Sequence, residues 1–297
     1  MPTSNTAVMK FSALGDIAAI LPFLRQMSPP PCIVTSPLGK AFLEDEFTSF
    51  IIMPDKTVKS HLRLIRDVRS RGFQHIIDLQ GNDRSRFLSK AFVLANKAES
   101  HNGFNKNYKY QPFSQMAQKI SRDAQAAQAF QPKPRDYIVL NAGSSAKWSA
   151  KRPPLWKWQE FATILDKRFG LPFKLTGSAD EIDYVSNIAE QLPCEAEIVA
   201  GKTTLSELKS LLRNAFLTVS TDSAAMHISA VEGTPTIGIY GSTTQKSIPN
   251  VPWAVALWDH TYYPDGKLPK CTAEHSNYYD GIKIEQGLEE LEELLKE

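Results

Sequence analysis

Short apolar runs alternate with amphipathic helical periods along nearly the whole chain, and this alternation constrains the fold more than any other feature. Thr6–Phe11 reads as a strand, followed by Ser-Ala-Leu-Gly-Asp and a helix to about Met27. Cys32–Thr35, Phe50–Met53 and His75–Leu79 read as strands, and Val58–Arg71 and Arg84–Ala95 as helices. Within Val58–Arg71 the spacing turns Leu62, Ile65 and Val68 to one side and Lys59, Arg63 and Arg66 to another. A polar, aromatic loop at 101–113 and a helix over Ser114–Ala129 complete the first half. The stretch Gln-Pro-Lys-Pro-Arg-Asp at 131–136 breaks the periodicity, and the pattern then restarts. Strands at Tyr137–Leu140, Pro172–Thr176, Ile198–Val199, Phe216–Ser220 and Thr236–Tyr240 are separated by helical segments. A loop-rich region then leads to an acidic helix, Glu285–Lys296.

Strands joined by helices imply βαβ units and parallel sheets. Two such runs predict an α/β chain of two Rossmann-like domains, 1–131 and 137–297, with parallel sheets facing a cleft. The length of 297 residues fits two domains at about 150 residues each. Ligands of such sheets sit at the carboxyl ends of the strands, so the loops after strands are the ones to read.

Composition excludes several classes. With 42% hydrophobic and 22% charged residues the chain can bury real cores. No apolar run approaches the ~18 residues of a membrane span, and the N-terminus lacks the layout of a secretory signal. Cys32, Cys194 and Cys271 are odd in number and far apart, which argues against a disulfide framework or zinc site and for a reducing compartment. The net charge of +2 conceals an asymmetry: residues 1–133 carry +8 and the remainder −6. A basic first half fits an anionic ligand or membrane surface.

Several motifs are missing. There is no G-x-G-x-x-G, Walker loop, H-E-x-x-H or G-x-S-x-G. There is no D-x-D, and no His/carboxylate cluster is read from the sequence, so no metal site is expected. No zinc-finger or RNA-recognition pattern accompanies the basic residues, so no nucleic-acid partner is expected.

Four loops carry candidate chemistry. Asp16 follows the first strand and opens a helix, either as a cap or as a carboxylate able to take a proton from an acceptor hydroxyl. Ser144, Ser145, Lys147, Lys151 and Arg152 follow the strand at 137–140; hydroxyls, backbone N–H groups and cations are what a diphosphate requires. Glu181, in Thr-Gly-Ser-Ala-Asp-Glu, caps a helix or grips ribose hydroxyls. Asp222, Ser223 and His227 surround a strand-to-helix turn whose free N–H groups favour phosphate. Their closeness on one helix argues against a hydrolase triad. More weakly, Arg84 and Arg86, with Lys59, Arg63 and Arg66, offer a basic face for acceptor phosphates or carboxylates; the alternative is a solvated surface.

In this order, Ser-Ala-Leu-Gly-Asp, Asp-Leu-Gln-Gly-x-x-Arg-Ser, Lys151-Arg152-x-Pro, Thr-Gly-Ser-Ala-Asp-Glu, Ala200–Leu208 and the Thr221–Gly241 block resemble glycosyltransferase family 9, the bacterial ADP-heptose:lipopolysaccharide heptosyltransferases. The resemblance implies a GT-B fold and an inverting transfer without metal or other cofactor. It implies Asp16 as general base and Lys151 facing the diphosphate, with Ser144 and Ser145 beside it. Glu181 would hold the ribose, and Asp222, Ser223 and His227 would line the sugar-diphosphate site. The implied partners are a nucleotide-sugar donor and an anionic glycolipid acceptor. The implied location is cytoplasmic, with peripheral contact at the inner membrane. The chain departs from the family at Ala224, where Gly is common, at Pro153, where Trp is usual, and at Gly241-Ser242-Thr243-Thr244. A GT-B transferase or epimerase using another nucleotide sugar, and a non-catalytic sugar-nucleotide-binding protein, are the alternatives.

Overall fold

The computed structural model describes residues 5–102, 135–144, 146–243, 247–249, 251–261 and 276–295. Ser145, Thr244, Cys271, the expected helix at 114–129 and most of the 131–136 break lie outside the described residues. Two compact units divide the chain, Met1–Gln128 and Ala129–Glu297.

The first unit contains β1 (Thr6–Met9), α1 (Leu14–Ala19), α2 (Leu21–Arg25), β2 (Cys32–Thr35), α3 (Pro37–Leu43), β3 (Phe50–Ile52), α4 (Val58–Arg71), β4 (His75–Asp78), α5 (Asp83–Asn96) and β5 (Glu99–Asn102). Its sheet is parallel in the order β3-β2-β1-β4-β5. β1, β2 and most of β4 are buried, so they read as continuous apolar runs. The single helix expected after β1 is two short ones, with Pro22 in the first turn of the second. α4 is capped by the Thr57 hydroxyl, which accepts from Ser60 N–H, and ends at Gly72 with φ +63°.

The apolar face expected for α4 needs correction. Leu64 and Val68 are buried with Ser60, whereas Leu62 is 63% exposed. At about 100° per residue, Leu62 lies about 120° around the helix from Val68, too far to share its face. α3 and β5 were not expected. α3 is seven residues long, and β5 has no apolar residue to signal a strand.

The second unit contains β6 (Ile138–Asn141), α6 (Leu155–Phe169), β7 (Phe173–Leu175), α7 (Ile182–Glu190), β8 (Ala196–Ile198), α8 (Leu205–Arg213), β9 (Leu217–Thr221), α9 (Ala224–Val231), β10 (Thr236–Tyr240), β11 (Ala254–Trp258) and α10 (Ile284–Leu295). The sheet is parallel, in the order β11-β10-β9-β6-β7-β8. β11 falls where only loops were expected; its alternating burial marks an edge strand. Trp158 and Phe161 of α6 pack on Ile138, Leu140 and Leu175 in a core closed by Leu288 and Leu291 of α10. Each fully buried side chain of this kind contributes about 1.5–3 kcal/mol.

Both sheets are doubly wound. In each, strand order reverses beside the unit's first strand: between β1 and β4 in one unit, and between β6 and β9 in the other. Loops leaving neighbouring strands in opposite directions open a crevice at that point. Asp16 follows β1 at the first reversal, and Lys151, Asp222 and Ser223 lie at the second, whereas the basic residues of α4 and α5 and Glu181 after β7 lie elsewhere.

Candidate active site

At the first reversal, β1 continues one residue beyond its regular end, with Lys10 N–H donating to the Val34 carbonyl. The Lys10 side chain is 1% exposed and its Nζ lies 3.7 Å from Asp16 Oδ2. The same carboxylate oxygen accepts weakly from Ala13 N–H at 3.4 Å, so Asp16 also caps α1. Its side chain stays 29% exposed and reaches solvent. Sequence reasoning missed Lys10; a lysine closing an apolar strand was the available signal.

The Asp-Leu-Gln-Gly turn after β4 shapes this loop. Buried Asp78 accepts from Gln80 and Gly81 N–H and from the Ser85 hydroxyl, at 2.9, 3.1 and 2.8 Å. The turn so fixed aims Gln80 Oε1 across the reversal, where it accepts from Phe11 N–H at 2.9 Å and Ser12 N–H at 3.1 Å. Gln80 therefore braces the loop that carries Asp16, a role the sequence reading did not assign. Arg84 and Arg86 are exposed on α5, the latter 3.4 Å from Asp83. Lys59, Arg63 and Arg66 are exposed on α4, and both arginines lean toward Asp67. Surface pairs of this kind contribute at most about 1 kcal/mol, so the arginines remain available to a ligand.

At the second reversal, Lys151 Nζ meets Asp222 Oδ2 at 2.9 Å and the Asp222 carbonyl at 3.2 Å. Lys151 ends a short 3-10 turn, Ala146–Lys151, and Asp222 directly follows β9. The pair is mostly buried, with side chains 19% and 13% exposed. Burial alone would push the Asp222 carboxyl up. The Lys151 ammonium and the charge of His227 outweigh it and hold the group below its ordinary range. Ser247 Oγ donates to Asp222 Oδ1 at 3.1 Å.

Ser223 begins α9 with extended backbone, but its hydroxyl does not cap the helix. It accepts instead from Asn141 Nδ2 at 2.9 Å, tying α9 to the end of β6. Asn141 Oδ1 in turn accepts from the Thr176 hydroxyl at 2.9 Å. This polar net holds the ends of β6, β7 and β9 together and leaves the first N–H groups of α9 uncapped by Ser223. His227 is buried one turn along α9.

Glu181 takes the capping reading of its position. Oε2 accepts from Ser178 N–H and hydroxyl at 2.8 and 2.9 Å, and Oε1 lies 3.5 Å from Arg152 Nη2. A Cβ at Gly143 would meet Glu181 Oε1 at 2.6 Å, so the close approach of this carboxylate to the β6 loop requires glycine. Arg152 also donates to the Ser144 carbonyl and lies 4.4 Å over the Tyr184 ring. Burial pushes the Tyr184 phenol up to about 12, so the ring stays neutral. A cavity of about 360 Å³ opens beside it, lined by Arg152, Pro153, Leu155, Tyr184, Ile188 and Tyr279.

The absence of a His/carboxylate cluster does not survive folding, because His75, Glu99 and His101 come together in the first unit. Glu99 and His101 are two residues apart in the sequence, but His75 joins them only through the register of β4 against β5.

The family model of glycosyltransferase family 9 (heptosyltransferase) matches residues 87–261. The chain belongs to that family. Among curated relatives, lipooligosaccharide heptosyltransferase 2 of Haemophilus influenzae is 32% identical over 153 residues, 49% of this chain and 44% of that protein. Lipopolysaccharide heptosyltransferase 3 of Escherichia coli K12 is 36% identical over 95 residues, 30% of this chain and 27% of that protein. The matched segments thus span less than half of these relatives.

Solved structures extend the likeness of fold to the whole chain. A family 9 glycosyltransferase from Veillonella parvula superposes with TM-score 0.71 at 19% identity, covering 98% of this chain and 97% of that one. Escherichia coli heptosyltransferase WaaC with ADP gives 0.70 at 17%, covering 97% and 99%. The two Rossmann-like units are thus those of a GT-B fold.

Proposed function

We propose that this family 9 chain is an inverting, metal-independent heptosyltransferase. It moves a heptose from a nucleotide-diphosphate donor of the ADP-heptose class to a lipopolysaccharide inner-core or related glycan. The observation that carries the reading is the Lys151–Asp222 pair at the β6/β9 reversal, beside the start of α9. A diphosphate docking on the α9 N–H groups presents more negative charge to Lys151 than Asp222 does, and it draws the ammonium away from that carboxylate. Ser144 and Ser145 belong to the same loop, and Asp222, Ser223 and His227 then face the sugar-diphosphate. Glu181, already fixed by Ser178 and Arg152, receives the ribose hydroxyls. WaaC was solved with ADP and with ADP-2-deoxy-2-fluoro heptose, which fits an adenine nucleotide here.

As the glycosidic bond to the donor breaks, the anomeric carbon gains positive character and the leaving diphosphate gains negative charge. Lys151 and the α9 N–H groups stabilise that charge. Asp16 takes the acceptor hydroxyl's proton on the face opposite the leaving group, which inverts the configuration. Lys10 and Gln80 hold Asp16 and its loop in place. The basic faces of α4 and α5 receive an anionic glycolipid at the cytoplasmic surface of the inner membrane. No helix among the described residues is long and apolar enough to cross a membrane.

The test is product detection by mass spectrometry with ADP-heptose and a panel of truncated lipopolysaccharide acceptors in chelator. Heptosylated acceptor is expected. Product only with UDP- or GDP-sugars would overturn the donor, and product only after adding Mg²⁺ would overturn the metal-free chemistry.

A further inference from the structure

The first unit contains a group of side chains that the transferase reading does not use. β4 and β5 run parallel with His75 opposite Glu99 and Ile77 opposite His101. Side chains alternate along a strand, and register partners share a face, so His75, Glu99 and His101 project from the same side of the sheet. It is the side away from α5: Ser100, between Glu99 and His101, turns the other way and meets Ser89 of α5 at 3.1 Å. His75 Nδ1 lies 3.7 Å from Glu99 Oε2, and His101 Nε2 lies 3.8 Å from the same oxygen. All three ligand atoms fall within 4.8 Å of one another. His75 Nδ1 is buried and has no hydrogen-bond partner.

The chemistry of this set is specific. Two imidazole nitrogens and one carboxylate suit Zn²⁺ and its neighbours in the first transition row, and suit Mg²⁺ or Ca²⁺ poorly. Tetrahedral zinc, with bonds of about 2.0–2.1 Å, places its ligands about 3.3 Å apart. The two glutamate distances exceed that by only about half an ångström, which side-chain rotation closes.

The strand itself has a use for such a tie. β5, Glu-Ser-His-Asn, is the last strand in its sheet's order and has no apolar side chain, so little hydrophobic burial holds it to β4. We infer that His75, Glu99 and His101 form a site for a zinc-class divalent cation that clips the polar edge strand β5 to β4. The site lies at the start of β4, whereas the Gln80 turn follows the opposite end of that strand. The ion is therefore structural and takes no part in transfer, and the inference stands independently of the proposed reaction.

The test uses the full chain, stripped with chelator and returned to metal-free buffer. Calorimetry with ZnCl₂ should show one saturable site, with no comparable heat from MgCl₂, and zinc should raise the thermal midpoint. Co²⁺ should give the visible absorption of a nitrogen- and oxygen-ligated ion. His75→Gln and His101→Gln should each weaken zinc binding roughly tenfold or more, while His61→Gln on α4 should not. Glu99→Gln, on a side chain 74% exposed, tests the same ligand set where a histidine variant fails to fold. Absence of a saturable site overturns the inference. So does zinc binding that survives Glu99→Gln and the histidine substitutions unchanged, because the ion then sits elsewhere.

Discussion

Replacing Lys151 with Met isolates what the Lys151–Asp222 pair contributes, because it removes the ammonium and keeps most of the side chain's volume. Breaking a fully buried pair costs about 3–5 kcal/mol, and an exposed one contributes about 0–1. At 19% and 13% exposure this pair lies nearer the buried limit. The Ser247 hydroxyl still supports the carboxylate, so a loss of about 2 kcal/mol follows. In a unit of this size that lowers the thermal midpoint by about 4–8 °C. The pH dependence identifies the cause. With Lys151 present, the folded Asp222 carboxyl ionises below its ordinary range. Its contribution is therefore complete above about pH 4 and is lost as pH falls through the lower folded-state value. Without Lys151, burial acts against the charge with less opposition and the carboxyl takes up a proton more readily. Scanning calorimetry should then find the variant well below wild type at pH 7 and closer to it near pH 4. Lys151→Met with Asp222→Asn should recover much of the loss, since the uncompensated charge is gone. ADP binding should remain weak in both variants. An equal deficit at both pH values, with no recovery in the double variant, would refute the electrostatic account and leave packing as the role of Lys151.

Asp16→Ala should lower transfer about 10²–10⁴-fold while donor affinity, measured by calorimetry, stays within a few-fold of wild type; near-normal turnover removes it as the base. Gln80→Ala should reduce turnover with little change in ADP binding, and Gln80→Glu, which keeps an acceptor for Phe11 and Ser12 N–H, should restore part of it. If Gln80→Ala turns over normally, the loop does not need its brace. Reversing Lys59, Arg63 and Arg66 to Glu should raise acceptor KM and weaken binding to anionic liposomes at low salt, where each cation is worth about 1 kcal/mol. Unchanged values for both would make that face a solvated surface only.

The fold was legible because its signals are local. β1, β2, β6, β9 and β10 are fully buried parallel strands and therefore read as apolar runs, with turn residues marking where the helices begin. The elements that escaped notice break that correspondence. β5 is polar throughout, and β11 lies in a stretch where burial alternates. The placement of the candidate residues was legible at the level of loops, since Asp16, Lys151, Glu181 and Asp222 all follow strands. What no spacing rule gives is partnership. Lys10 and Asp16 are six residues apart, Gln80 reaches back across 69 positions, and Lys151 and Asp222 are separated by 71. Such pairings depend on strand order, and above all on β1 lying beside β4 and β6 beside β9.

The partnerships share a pattern that bears on how the site works. Lys10 with Asp16, Lys151 with Asp222 and Arg152 with Glu181 each join one cation to one carboxylate at or near the carboxyl end of a strand. A cation left alone in such a partly buried place would lose hydration without compensation, so each is held neutral in pairs until a ligand arrives. On the proposed function, binding is an exchange, in which an anionic ligand replaces a carboxylate partner. Such an exchange discriminates by charge. A neutral sugar has nothing to offer Lys151, whereas a diphosphate brings more negative charge than the single carboxylate it displaces and also meets the uncapped N–H groups of α9. On the same proposal the exchange would release Asp222 beside the diphosphate, where it would accept hydrogen bonds from the sugar's hydroxyls. On this account the pairing of Lys151 with Asp222 is the resting form of the donor site, in addition to what it contributes to the stability of its unit.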